Sequence, residues 1–146
     1  MSEAGFYMKA AAREKLVMVF GVFDGLHPGH FYFLRQAKKY GKVIAVVARD
    51  SAVFKLKKRK PVQSEKKRLR AMMKVKGVTL AVLGDKKQGV YSVIKKYKPN
   101  IICLGYDQGL LKKDLEEKMF KKFFPVIRLI QLAPYRPHEF HTSLLK

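Results

Sequence analysis

A chain of 146 residues with 48% hydrophobic content has room for one domain with a real core and none for a second. Its longest apolar stretches, "LVMVF" and "VIAVVA", fall far short of the roughly 20 residues of a membrane-spanning helix, and "MSEAGFYMKAAAREK" lacks a contiguous apolar signal core, so a cytoplasmic protein with no membrane partner is expected. The 32 Lys and Arg against 11 Asp and Glu leave a net charge of +21, which attracts polyanions but does not choose among nucleic acid, anionic lipid and nucleotide phosphates.

Residues 1–15 read as a short arm, helical from Phe6 to Glu14 or disordered, ahead of a domain over 16–146. The first apolar run, 16–23, leads into "GVFDGLHPGH" and a helix over 29–40, where His30, Phe33, Leu34 and Ala37 share a stripe and Gly41 is the stop signal. A second run, 42–48, ends in "ARD" and is followed by the basic "KLKKRK" at 55–60. Ser64 is a suitable N-cap for "SEKKRLRAMMKV", whose Leu69, Met72 and Met73 can face the core. A third run, 78–83, precedes a helix over roughly 88–98, and a fourth, 100–105, precedes one over roughly 110–122 with Leu111, Leu115 and Met119 at helical spacing. The lone Cys103 lies inside that fourth run and is expected to be a small buried apolar residue. The fifth run, 126–132, leads into "LAPYRPHEFHTS". Short Val-, Ile- and Leu-rich strands alternating with helices predict an α/β fold: a single-domain, doubly wound, Rossmann-like five-stranded parallel sheet with helices on both faces.

Ligands of such sheets bind beyond the carboxyl ends of the strands, at the point where neighbouring connections wind in opposite directions. The most constrained strand end is "GVFDGLHPGH". Gly21 and Gly25 permit backbone approaches that a side chain would block, Pro28 suits the start of a helix and Gly29 leaves space there. The N–H groups at that helix start form a phosphate cradle. His27 and His30, three residues apart, can aim imidazole N–H donors at one phosphoryl group. A pair of metal-ligating histidines, or a polar turn with His30 satisfied in the core, are the other readings, although no third ligand stands at metal spacing.

"GVFDGLHPGH" resembles the H-x-G-H signature of the nucleotidyltransferase superfamily, cytidylyltransferase-like branch, and the resemblance extends through "VVARD", "KKRKP", "GYDQ" and "FHTS". The combination is most similar to archaeal FAD synthases, which transfer AMP from ATP to FMN, and next to glycerol-3-phosphate cytidylyltransferases, which use CTP. Val22 stands where the family usually has Thr or Ser, leaving backbone groups for nucleotide contact there.

The resemblance implies that His27 and His30 are catalytic and that Val22, Phe23, Pro28 and Gly29 lie along the nucleotide. It implies that Lys57 and Lys60 close over the triphosphate as part of a mobile basic loop and that Arg68 reaches toward it; ordinary surface charge is the alternative for the lysines. Asp107 would accept hydrogen bonds from the ribose or base, or else cap the following helix. Thr142 and Ser143, with Arg136 nearby, would donate to the outer phosphates, and Asp24 would orient a histidine or hold Mg²⁺ through water. The divalent ion itself, Mg²⁺ by expectation, would be bound mainly through the triphosphate, with no dedicated protein metal site. The partners implied are ATP or CTP and FMN or another phosphorylated small molecule, with a homodimer as the expected assembly. A nucleic-acid-binding protein on an inactive scaffold is the rival from another class; the intact His27 and His30 pair argues against it.

Overall fold

The computed structural model describes residues 14–136. The elements run β1 (Leu16–Gly21), α1 (Pro28–Lys38), β2 (Lys42–Val47), α2 (Asp50–Lys57), α3 (Glu65–Met73), β3 (Val78–Leu83), α4 (Ser92–Tyr97), β4 (Ile101–Leu104), α5 (Gly109–Phe120) and β5 (Arg128–Gln131). The strands form one sheet in the order β3-β2-β1-β4-β5, and every neighbouring pair is parallel. The expected Rossmann-like α/β architecture is therefore the one observed. Apart from Glu14 and Lys15, the arm expected over 1–15 lies outside the described residues, as do Thr142 and Ser143.

Both faces of the central strands are covered, which is why those strands read as nearly unbroken apolar runs rather than alternating ones. On one face Val17, Val19, Val43, Ala45 and Cys103 pack against Leu34 and Ala37 of α1 and Met72 of α3. On the other, Met18, Ile44, Val46 and Ile102 pack against Val93 and Ile94 of α4 and Leu115 of α5. Cys103 is fully buried, and that burial pushes its thiol up to about 11, so it is an inert core group. Gly41 has a steric reason: a Cβ there would stand 2.2 Å from the Lys15 carbonyl oxygen. The chain can therefore pass close to the start of β1 only with glycine at this position.

Two local expectations are corrected. The "KLKKRK" stretch is not wholly a loop, because its first three residues form the last turn of α2, a helix anchored by buried Val53 and ended by Lys58 in the left-handed region. The helix expected over 88–98 is confined to Ser92–Tyr97, since Gly89 and Tyr91 both have positive φ and the chain cannot continue helically through them. The Asp85 carboxylate supplies the start signal instead, accepting hydrogen bonds from the Ser92 backbone N–H and hydroxyl.

Candidate active site

The strand order places the switch point between β1 and β4. Pairing of β1 with β2 continues to Gly21↔Val47, whereas its pairing with β4 ends at Val19↔Cys103. The sheet therefore opens at Phe20. Gln108 spans the opening: its side-chain amide donates to the Phe20 carbonyl at 2.8 Å and its carbonyl oxygen accepts from Gly105 N–H at 2.8 Å. Gln108, read in the sequence only as part of "GYDQ", is thus the brace across the crevice.

On the α1 side of this opening stands the histidine turn. Pro28 occupies the first turn of α1 and His27 is the N-cap, with extended backbone. His27 Nδ1 accepts from Gly29 N–H at 3.1 Å, and His30 Nδ1 accepts from His27 N–H at 3.2 Å, so two imidazoles do the work usually given to Ser and Glu in a capping box. With Nδ1 of both rings taken as acceptors, the proton of each neutral ring sits on Nε2. The rings lie 3.8 Å apart between centroids. Partial burial of His30, followed by the charges of His27 and Lys57, lowers it from 6.5 to about 4, so the ring is neutral at neutral pH. Gly29 leaves room for the His27 ring in this position, since a Cβ would stand 2.9 Å from His27 Cε1 and push the ring aside. Phe23, at φ 53°, turns its buried ring edge-on to His30 at 5.6 Å.

Arg68 corrects an expectation. It does not reach outward to a triphosphate: it is 0% exposed, and its guanidinium is fully engaged inside the protein. Nη1 donates to the carbonyls of Val22 at 2.8 Å and Ala48 at 2.7 Å, Nε to the Gln63 carbonyl at 3.0 Å, and Nη2 to the Asp50 carboxylate at 2.6 Å. One side chain thus joins the ends of β1 and β2 to the start of α2 and the connection before α3. Asp24 belongs to the same knot. Its carboxylate accepts from Val62 N–H at 2.7 Å and Gln63 N–H at 2.8 Å, so it fixes the loop rather than a histidine. Burial alone would raise Asp24, but these two N–H donors and the Arg68 and Arg59 charges outweigh it and hold the carboxyl below its usual range. Lys57 ends α2 close enough for its charge to act on His30, while Lys60 is exposed on the α2–α3 connection. Tyr135 returns to α1, its ring 5.4 Å from that of Tyr32, and this brings the segment carrying Arg136 to the histidine side.

A cavity of about 470 Å³ opens on the other side of the same switch point. Phe20, Val46, Ala52, Leu56, Leu110 and Leu111 supply apolar walls; Arg49, Lys87, Asp85, Asp107 and Asp114 supply the charge. Gly21 and Val22, at the start of the histidine loop, are shared walls. Asp107 is exposed at this rim and is not the cap of α5, whose N-cap is Gln108. Arg49 donates to the Gly84 carbonyl at 2.9 Å and pairs with Glu65 at 3.1 Å, which points it along the ends of β2 and β3. Sequence reasoning did not single out Arg49 or Lys87, although "VVARD" and "LGDKKQG" marked both strand ends.

The family model described as Cytidylyltransferase-like matches residues 18–145, nearly the whole chain. The chain belongs to the cytidylyltransferase-like family. Among its relatives in that family, the FAD synthase of Aciduliprofundum boonei is 44% identical over 120 residues, covering 82% of this chain and 78% of that protein. The FAD synthase of Methanohalophilus mahii is 40% identical over 124 residues, covering 84% and 83%. A crystal structure described as the lipopolysaccharide core biosynthesis protein of Thermoplasma volcanium GSS1 superposes with a TM-score of 0.76 at 34% identity, covering 84% of this chain and 99% of that one. In this cytidylyltransferase-like chain the histidine turn and the cavity flank the switch point, which is where a doubly wound sheet binds its ligands. No described helix is long and apolar enough to cross a membrane.

Proposed function

We propose that the protein is an adenylyltransferase that moves AMP from ATP to FMN, forming FAD and pyrophosphate. The observation that carries this reading is the pair of imidazoles whose Nδ1 atoms accept from backbone N–H groups, leaving two Nε2–H donors at a helix N-terminus beside the switch point. The FAD synthases among the relatives support adenylyl transfer over other chemistry in the family.

A phosphate oxygen of FMN attacks the α-phosphorus of ATP, the bond from that phosphorus to the bridging oxygen breaks, and pyrophosphate leaves with the electron pair. The nucleophile is already ionised at neutral pH, so no general base is needed. What remains for the protein is alignment of two anions and stabilisation of charge on the α-phosphoryl and leaving oxygens. Nε2–H of His27 and His30 donate to those oxygens, with Val22, Phe23, Pro28 and Gly29 along the nucleotide; the first-turn amides of α1, which the sequence suggested as a phosphate cradle, are instead taken up within the turn, Gly29 N–H by His27 Nδ1 and His30 N–H by the His27 carbonyl. A neutral His30 suits the task because it needs no proton exchange with solvent. Lys57 and Lys60 add positive charge, while Arg136 borders the nucleotide on the histidine side and Asp107 borders it across the opening. Thr142 and Ser143, the donors proposed for the outer phosphates, lie outside the described residues.

A divalent cation, Mg²⁺ in our reading, would enter on the triphosphate and neutralise part of its charge. The donor set fits an ion carried by phosphate and water: both Asp24 oxygens are taken by backbone N–H groups, and among the described residues no three His, Cys, Asp or Glu cluster at ligand spacing. The test is pyrophosphate release from ATP and from CTP, each with FMN or glycerol-3-phosphate as acceptor. Turnover confined to ATP with FMN is the expected outcome; turnover with CTP and glycerol-3-phosphate alone would replace this reading with a cytidylyltransferase.

A further inference from the structure

We infer that the cavity across the switch point from the histidines receives the flat ring of the flavin acceptor, and that Asp114 reads the ring's imide N–H. The inference rests on the FMN reading above and extends it to Tyr91 and Asp114, which lie outside the motifs that the sequence displayed.

In-line displacement requires nucleophile and leaving group on opposite sides of the α-phosphorus. The histidine turn lies on the α1 side of the opening, and the cavity is built from the ends of β1, β2 and β3 together with α2 and α5. Gly21 and Val22 wall the cavity and continue into the histidine loop, so an acceptor seated there would present its phosphate toward the nucleotide. Arg49 and Lys87, at the ends of β2 and β3, are the cations available to that phosphate on the way.

Size and polarity select the occupant. About 470 Å³ falls within the roughly 300–1,000 Å³ range of sites that enclose a ring-sized ligand, whereas a three-carbon acceptor would leave apolar walls against water. Leu56 and Leu110 on the rim are 65% and 82% exposed, apolar surface that a stacked ring would cover.

The polar end is built with care. Tyr91 is held in the left-handed region at φ 51°, its ring edge-on to both Phe20 and Phe124 with centroids 6.2 and 6.1 Å away. Its hydroxyl donates to Asp114 Oδ2 at 2.5 Å, and Lys118 Nζ donates to Oδ1 at 3.1 Å. These two donors orient the carboxylate that lines the cavity, and with Lys118 beside it Asp114 stays ionised. An ionised carboxylate only accepts hydrogen bonds, so it recognises an N–H donor and repels a phosphate. In a flavin the imide N–H sits at one end of the ring and the dimethylbenzene edge is apolar. Of the three carboxylates that line the cavity, Asp85 is occupied by Ser92 and Asp107 is exposed at the rim, so Asp114, buttressed by Tyr91 and Lys118, is the acceptor assigned to the imide N–H.

The test compares FMN with N3-methyl-FMN, which lacks that N–H, in fluorescence titrations and in steady-state assays with ATP. Wild type is expected to bind FMN about 10–100-fold more tightly, the scale of one hydrogen bond to a charged group in an enclosed site. Asp114→Ala should erase most of that preference, while leaving the KM for ATP unchanged. Ala52→Phe, which fills the cavity from α2, should raise the KM for FMN and again spare ATP; thermal unfolding establishes that both variants fold. An undiminished preference in Asp114→Ala overturns the inference alone. So does a raised KM for ATP in Ala52→Phe with FMN unaffected, which would put the nucleotide base in the cavity. A wild-type protein that neither binds nor adenylylates FMN overturns both the inference and the activity on which it rests.

Discussion

The histidine turn and the cavity stand a few residues apart on either side of one opening in the sheet, yet they are organised by opposite means. The turn is polar and local: His27, Pro28, Gly29 and His30 arrange one another through two bonds from backbone N–H groups to imidazole Nδ1 atoms within four residues. The cavity is apolar and assembled from distant segments, with Tyr91 and Asp114 meeting across 23 positions of sequence. The contrast follows from the work proposed for each. Stabilising charge on a reacting phosphoryl group requires donors that do not move during the reaction, and short-range capping bonds hold them. Recognising a ring requires surface area and one directional contact, which a sheet end flanked by two helices provides.

The largest expected effect falls on the turn. His27→Asn keeps a capping acceptor but removes the imidazole donor, and His30→Ala removes the second donor. Each should lower kcat about 10²–10³-fold while the circular dichroism spectrum is retained. Near-normal turnover in either variant would erase the distinction drawn between the two sides, leaving the turn as a cap alone.

Next comes the knot beneath the turn. Arg68→Met leaves the carbonyls of Val22, Ala48 and Gln63 without their donor and Asp50 without its cation, and should cost about 3 kcal/mol or more in chemical denaturation. A comparable loss is not expected from Lys66→Met two positions away on the same helix, which is exposed. Equal effects at the two positions would show that the interior placement of Arg68 confers nothing.

The smallest expected effect sharpens the electrostatic side of the comparison. His30, lowered to about 4 in the folded protein, binds fewer protons there than in the unfolded chain, whose histidine titrates near 6.5. Stability attributable to His30 is therefore complete above about 6.5 and declines as the pH falls toward 4. An NMR titration should show the His30 ring remaining neutral through pH 5. A midpoint near 6.5 would mean that the ring is solvated and that its donor is not held by the turn.

The residues that announce themselves in the sequence are those whose neighbours in space are also neighbours along the chain. The five apolar runs set the strands because a strand buried on both faces must be apolar at nearly every position, and the strand-to-helix alternation allows little but a parallel doubly wound sheet. Ser64 was readable as a cap, and its hydroxyl accepts from Lys67 N–H at 3.3 Å. The histidine turn was legible for the same reason. Helix α2 was not: only Val53 is buried in it, so its lysines outweigh its periodicity and the stretch reads as a basic loop. Arg68 was legible as a cation but not as an interior one. Lys66, Lys67 and Arg70 surround it in sequence, and nothing among those four marks which side chain meets three converging carbonyls. Asp114 likewise reads as one more charge on an amphipathic helix until Tyr91 is placed against it. By itself the sequence determined the sheet, its helices in outline and the capped pair of histidines, because periodicity and capping are local. Which cation is buried, where the sheet opens, and what walls the cavity beside it were decided only in the tertiary structure, since each depends on groups that folding brings together from separate strand ends.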